Sequence, residues 1–157
     1  MFTELKTDLL TAEVDAIAHC ANCFCTMGSG IAKQIKAKLP EAFLVDSKTT
    51  VGGRDKFGKF SCATITDPKI KTTVKFVYNL YGQYYYGTDS RKLNYESIYT
   101  ALEGMRHDCV SRPIRSIGFP KNMGCMLAGG SWIVVESMIH SVFHGGPFNI
   151  YICEYTA

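Results

Sequence analysis

Long hydrophobic runs are missing from this sequence. Residues 1–10 interleave Glu4, Lys6 and Asp8 with their apolar neighbours, which gives neither the apolar core of a secretory signal nor the length of a membrane span, so a cytoplasmic protein with no membrane partner is expected. Low-complexity stretches, internal repeats and shifts of composition are also missing, and one domain spanning residues 1–157 is the expectation. Charge of one sign is scarce: 17 Lys and Arg against 14 Asp and Glu leave a formal +3. Lys33, Lys36 and Lys38 read as the solvated face of a helix, and with no aromatic residues interleaved among them no nucleic-acid partner is expected. No heptad seam or unpaired apolar stripe stands out, so a monomer is expected.

Cysteine is not scarce, but its pattern excludes two uses. Cys20, Cys23, Cys25, Cys62, Cys109, Cys125 and Cys153 are odd in number and sit mostly in apolar runs, which suits reduced, buried thiols rather than a disulfide framework. His19, Cys20, Cys23 and Cys25 crowd into one short stretch. A structural zinc site would need a second ligand pair at a distance, and none is present, so no metal is implied.

What is present is a strand that runs into polar groups and a glycine loop. Residues 18–32 read Ala-His-Cys-Ala-Asn-Cys-Phe-Cys-Thr-Met-Gly-Ser-Gly-Ile-Ala. Gly28 and Gly30 let the backbone come close to a ligand, and the first N–H groups of a helix starting at Ile31 have no intrahelical acceptors, so they suit an anion such as a nucleotide phosphate. The pattern is neither the full dinucleotide fingerprint nor a P-loop, which needs Gly-Lys-Ser/Thr, and a tight turn before a helix would read the same way.

The remaining chain alternates short apolar runs with amphipathic stretches. Strands are expected at residues 2–5, 15–20, 60–66, 74–80, 116–119 and 149–154, with Asp67-Pro68 as a turn. Helices are expected from Ile31 to Leu39, stopped by Pro40; from an Asn94 cap to about Val110 with Ile98, Leu102, Met105 and Cys109 on one stripe; and around Val135, Met138, Ile139 and Val142. The alternation argues for an α/β fold with a mostly parallel sheet covered on both faces, whose ligands lie beyond the carboxyl ends of strands. Both glycine segments, 27–30 and 124–130, follow strands there and are expected to form two walls of one site.

These residues carry a resemblance. Lys6-Thr7-Asp8-Leu9-Leu10, then residues 15–22 ending Ala18-His19-Cys20-Ala21-Asn22, then Met27-Gly28-Ser29-Gly30-Ile31-Ala32, then Phe119-Pro120 and residues 124–132 resemble a macro domain over nearly the whole chain. Within that family the chain is most similar to the compact ADP-ribose 1''-phosphate phosphatases of the yeast and tailed-phage type and, more distantly, to the terminal ADP-ribose deglycosylase acting on protein glutamates. The resemblance implies a three-layer α/β/α fold with a mixed, mostly parallel six-stranded sheet and a cleft for an ADP-ribose derivative, with no cofactor. It also implies that Asp8 accepts from the adenine amino group with Leu9 beside it, and that Asn22 contacts the distal ribose. Met27, Gly28, Ser29, Gly30, Ile31 and Ala32 would wrap the distal ribose and pyrophosphate. Asn122, Met123, Gly124, Cys125, Met126, Leu127, Ala128, Gly129 and Gly130 would form the second phosphate loop. Tyr155 could stack on adenine or be an ordinary strand-edge aromatic.

One departure bears on chemistry. The glutamate deglycosylase has a lysine after its fourth strand and an aspartate in the second loop, where this chain reads Leu80-Tyr81-Gly82-Gln83 and Leu127-Ala128-Gly129. A Schiff-base nucleophile is therefore absent from that place. Phosphomonoester hydrolysis does not require it, and the expected activity is conversion of ADP-ribose 1''-phosphate to ADP-ribose and inorganic phosphate; a non-catalytic ADP-ribose reader and a deglycosylase of another mechanism are the alternatives. His19 is the expected acid/base residue, with a core histidine as the other reading, and Asn22 its companion. Asp89 is a reserve base. His107 and His144 read as surface residues.

Overall fold

The computed structural model describes residues 1–87 and 89–155. Six strands, β1 (Phe2–Leu5), β2 (Ala16–Ala21), β3 (Phe60–Thr64), β4 (Phe76–Tyr81), β5 (Ser116–Pro120) and β6 (Asn149–Cys153), form one sheet in the order β1-β6-β5-β2-β4-β3. All neighbours are parallel except β3, which returns antiparallel to β4. The helices are α1 (Gly30–Lys38), α2 (Pro40–Ser47), α3 (Tyr95–Val110) and α4 (Trp132–Phe143).

Strand alternation builds the three layers. Ala16 and Ala18 of β2 face a core shared with α3 and α4, while Ile17 faces the opposite core with Ile35 of α1, Ala42 of α2 and Leu39 between the two helices. All six residues of β4 are buried, the pattern of a central strand covered on both faces. The stripe Ile98, Leu102, Met105 and Cys109 on α3 is fully buried, each large aliphatic side chain contributing about 1.5–3 kcal/mol of burial. Asn94 caps α3 as expected, its side-chain oxygen accepting the Ser97 N–H at 2.8 Å.

One helix differs from the sequence reading. Pro40 does end α1, but it also begins α2 as its first residue, where a missing N–H costs nothing and the fixed φ suits the first turn. Leu39 serves both helices as the joint. The parallel central strands β2 and β5 then deliver their carboxyl ends to the same edge of the sheet, and the loops that leave them enclose the site.

Candidate functional site

A cleft of about 670 Å³ opens beyond the carboxyl ends of β2 and β5. One wall is Asn22 and residues 26–32, leading into α1; the other is residues 122–128, after β5. The loop after β4 contributes Gln83, Tyr86 and Gly87. The two glycine loops thus face each other, and Leu127 reaches to within 3.6 Å of where a Cβ on Gly30 would stand.

The first loop is closed on itself by Asn22. Its Oδ1 accepts the Phe24 N–H at 2.8 Å and its Nδ2 donates to Thr26 Oγ1 at 2.7 Å. Cys25 and Met27 hold positive φ of 58° and 40°, a conformation that non-glycine residues adopt at a cost and keep only where surroundings enforce it. Here the enforcement is visible: Met27 is buried in the core beside α1, and the Lys56 ammonium donates to Cys25 Sγ at 3.4 Å and Thr49 Oγ1 at 2.7 Å. Ser29 starts α1 without a side-chain cap. The N–H groups of Gly30, Ile31 and Ala32 have no acceptor among the described residues, and Lys33 is the first to bond back, to Ser29 O at 3.3 Å. Three free donors at the positive end of a helix dipole make an anion seat.

The second loop is built for close backbone packing. Asn122 and Gly124 hold φ of 66° and 72°, Cys125 N–H bonds to Asn122 O at 2.8 Å, and Gly130 N–H to Gly124 O at 2.9 Å. A Cβ on Gly130 would collide with Leu93 Cδ2 and stand 2.8 Å from Gly124 O. Lys92 and Leu93 donate their N–H groups to Ala128 O at 2.8 and 3.1 Å. The loop after β4 is thereby strapped across from the first wall to the second.

The sequence-expected residues divide accordingly. Asn22, Met27 through Ala32 and Asn122 through Ala128 line the cleft; Gly129 and Gly130 shape the loop from behind. Asp8 and Leu9 lie just past β1: Asp8 Oδ1 caps a short turn by accepting the Leu10 N–H at 2.9 Å, and Leu9 is buried. Tyr155 follows β6 and is exposed. Asp8, Leu9 and Tyr155 do not line the cleft; the register Leu5↔Cys153↔Pro120 places the ends of β1, β6 and β5, which they follow, side by side.

His19 is the correction. It shares a face of β2 with Ile17, on the α1–α2 side of the sheet, is completely buried, and does not line the cleft. Its Nε2 lies 2.6 Å from Asn79 Oδ1, and Asn79 in turn donates to Ala42 O and Ser61 Oγ, both at 3.1 Å. Burial pulls the imidazole pKa down to about 4 against the opposing pull of the Asn79 bond, so the ring is neutral and structural, with Nδ1 unpartnered. The bond from Asn79 to Ala42 O ties this pair to α2, the element the sequence reading lacked. Asp89, the reserve base, does not line the cleft; its exposed carboxylate is paired with Lys92 at 2.8 Å, which holds its pKa down.

Cleft side chains not anticipated include Cys20, Thr26, Gln83, Tyr86 and Lys121. Burial raises the Cys20 thiol to about 12 and Cys125 to about 11, so neither supplies a thiolate near neutrality. Lys121 Nζ is held by Glu4 Oε1 at 3.0 Å and Glu154 Oε2 at 3.3 Å, which raise its pKa and keep it an ammonium, not an amine nucleophile. Gln83, in the loop after β4, donates to Tyr85 O at 3.0 Å. No group of three or more His, Cys, Asp or Glu among the described residues could hold a metal ion, and no described helix is long and apolar enough to cross a membrane.

Comparison with known proteins fits this geometry. The Macro domain family model matches residues 18–139. The human ADP-ribose glycohydrolase OARD1 is 27% identical over 149 residues, covering 94% of this chain and 88% of its own. An uncharacterized 17.5 kDa protein from the tk-vs intergenic region of Enterobacteria phage T4 is 27% identical over 138 residues, covering 86% and 85%. The solved macrodomain of Mycobacterium tuberculosis DarG superposes with a TM-score of 0.81 at 23% identity, over 100% of this chain and 99% of that one.

Proposed function

This chain belongs to the macro domain family, and from that premise we propose that its cleft binds ADP-ribose and that the protein hydrolyses ADP-ribose 1''-phosphate to ADP-ribose and inorganic phosphate. The observation that carries the reading is the uncapped N-terminus of α1 facing the second glycine loop across a cleft of about 670 Å³. The free N–H groups of Gly30, Ile31 and Ala32 seat the pyrophosphate, with the backbone of residues 122–128 on its other side. Asn22 stands over the distal ribose, where a second Nδ2 hydrogen and a second Oδ1 lone pair remain for the sugar or its phosphate. Asp8 accepts from the adenine amino group at the far edge, and Tyr155 covers the ring.

Hydrolysis then proceeds by direct attack of water on phosphorus: the water oxygen bonds to phosphorus, the bond from phosphorus to the C1'' oxygen breaks, and that oxygen takes a proton. The protein's part is to hold the phosphoryl oxygens against backbone donors and Asn22. Among the described residues no histidine or carboxylate lines the cleft. The leaving oxygen is thus protonated from water, and turnover is slow by the factor of about 10²–10⁴ that a placed acid supplies elsewhere.

A second reading, release of ADP-ribose from a glycosidic link, is supported by the likeness to the glycohydrolase OARD1 over 94% of this chain; the pairing of Lys121, which lines the cleft, with Glu4 and Glu154 counts against that residue as the nucleophile of a covalent version. The test is phosphate release from ADP-ribose 1''-phosphate, with calorimetric ADP-ribose binding on the same samples, for wild type and Asn22→Ala. Release that falls with Asn22→Ala supports the phosphatase. Binding without release leaves a reader or a deglycosylase, which ADP-ribosylated substrates separate.

A further inference from the structure

Lys56 is 8% exposed, yet among the described residues no carboxylate lies within ion-pair distance of its ammonium. A lysine is seldom buried without a paired anion, because the charge gives up its water. The hydrogen bonds Lys56 makes go to Thr49 Oγ1 at 2.7 Å and to Cys25 Sγ at 3.4 Å, with the Tyr81 ring centroid 5.0 Å away. Asp46 feels the ammonium at longer range, but its Oδ1 accepts from the Tyr81 hydroxyl and its Oδ2 is buried with no partner. A hydroxyl and a thiol thus stand where this cation would be expected to hold a carboxylate.

The thiol is fixed as firmly as the ammonium. Cys25 Sγ donates to Asp46 O at 3.2 Å, near the end of α2, lies 3.4 Å from Thr49 Oγ1, and receives Lys56 from the turn at residues 54–56. Cys25 is half-buried rather than closed off. A partly accessible sulfur beside a fixed positive charge is the setting in which a cysteine meets small electrophiles. The other thiols compete poorly: burial pushes Cys20 up to about 12 and Cys23, Cys62, Cys109, Cys125 and Cys153 up to about 11, so they stay protonated near neutrality.

We propose that Cys25 and Lys56 are a modification site for hydrogen peroxide, at which the two side chains become joined by a sulfur–nitrogen bond. In the first step sulfur attacks one peroxide oxygen: the S–O bond forms, the O–O bond breaks, and the departing hydroxide takes the thiol proton and leaves as water. Peroxide is reduced, and Cys25 is oxidised to a sulfenic acid. In the second step Lys56 Nζ attacks that sulfur: the S–N bond forms and the S–O bond breaks. Of the two protons Nζ sheds, one turns the departing hydroxide into water and the other passes to solvent. One thiol, one ammonium and one peroxide thus give one sulfenamide, two waters and one proton. The bond draws Sγ and Nζ together from 3.4 Å and pulls Cys25 toward residues 54–56. Thr26, next in the chain, lines the cleft and accepts from Asn22, so the pull reaches the wall assigned to the distal ribose. That coupling rests on the ADP-ribose reading of the cleft; the bond itself does not.

The test is peptide mapping by mass spectrometry of the full chain after brief exposure to a small excess of hydrogen peroxide, with free thiols alkylated and no reductant added. Wild type should yield two peptides linked between Cys25 and Lys56, two hydrogens lighter than their sum, and dithiothreitol should dissolve the link. Lys56→Arg keeps a positive charge but offers no amine nucleophile, so its Cys25 should stop at the sulfenic acid and be labelled by dimedone. Cys25→Ser should form no link. Calorimetry on oxidised wild type should show ADP-ribose affinity lowered by about tenfold and recovered on reduction, the effect of misplacing a loop hydrogen bond. Cys25 recovered as a free thiol while other cysteines are oxidised, a Cys23–Cys25 disulfide in place of the link, or a sulfenic acid that persists beside a free Lys56 overturns the site. Those three outcomes are read on wild type, so a variant that misfolds does not decide them. A link that leaves the affinity unchanged overturns the coupling to the cleft. If reduced wild type fails to bind ADP-ribose and the link still forms, the cleft reading falls and the modification site stands.

Discussion

Replacing His19 by Gln separates a structural histidine from a catalytic one through pH. In the fold the ring pKa lies at about 4 against an ordinary 6.5, because burial disfavours the imidazolium. Below 6.5 the unfolded chain takes up a proton that the folded chain refuses, so the stability His19 supports is intact above that value and is lost as pH falls from 6.5 through about 4. At about 1.4 kcal/mol per unit the full loss approaches ~3 kcal/mol, and about 2 kcal/mol of it appears between pH ~7 and pH ~5. Asp46 works in the opposite direction: burial raises its pKa, so it gains stability as pH falls. Because Asp46 is present in both proteins, subtracting the His19→Gln profile from that of wild type isolates the histidine. Urea midpoints measured across this range should converge, wild type losing about 2 kcal/mol more than the variant on acidification. His19→Gln can still donate to Asn79 Oδ1, and it should keep ADP-ribose binding and any turnover at pH ~7. Parallel stability profiles, or turnover abolished with binding retained, would refute the assignment and return His19 to the chemistry.

Three other substitutions test the site and its frame. Gly130→Ala drives a Cβ into Leu93 and Gly124 O and should destabilise the protein by about 1–3 kcal/mol in chemical denaturation while weakening ADP-ribose binding, since the second loop must shift. Asn22→Ala removes both hydrogen bonds that close the first loop; calorimetry should show ADP-ribose affinity falling by about tenfold or more, with a stability loss of only about 1 kcal/mol. Asn94→Ala removes the α3 cap and should lower stability by about 1 kcal/mol without changing ligand affinity.

The sheet and both glycine loops were legible because each is written locally: apolar runs of strand length, and glycines placed after them. The helix α2 was not. Residues 40–47, Pro-Glu-Ala-Phe-Leu-Val-Asp-Ser, bury Ala42 and Asp46 at an i, i+4 spacing in which the second member is a carboxylate, so its inward face does not read as apolar. Asp46 is accommodated by the Tyr81 hydroxyl, which donates to its Oδ1 at 2.6 Å, a partner 35 residues away. The same gap hid the fate of His19, since alternation alone leaves open which layer a strand residue enters until the covering helix is known. Lys121 was invisible as a spent cation for a related reason: its partners Glu4, in β1, and Glu154, just after β6, come from opposite ends of the chain.

The strand order also sets a schedule for acquiring the site. β1 and β2 are the first strands made, yet they are not neighbours; β6 and β5 lie between them. Phe2 finds its partner Ile150, and Ile17 its partner Gly118, only across most of the sequence. Pairings of such long separation form late and slowly. On the ribosome the first glycine loop emerges with only one of its walls in existence, and the opposing loop follows some ninety residues afterwards, at Asn122. Ligand competence therefore arrives as a single late event, when β5 and β6 slot between two strands that have waited for them. A nascent or prematurely ended chain leaves those two strand edges open, a surface that folding helpers rather than nucleotides would find.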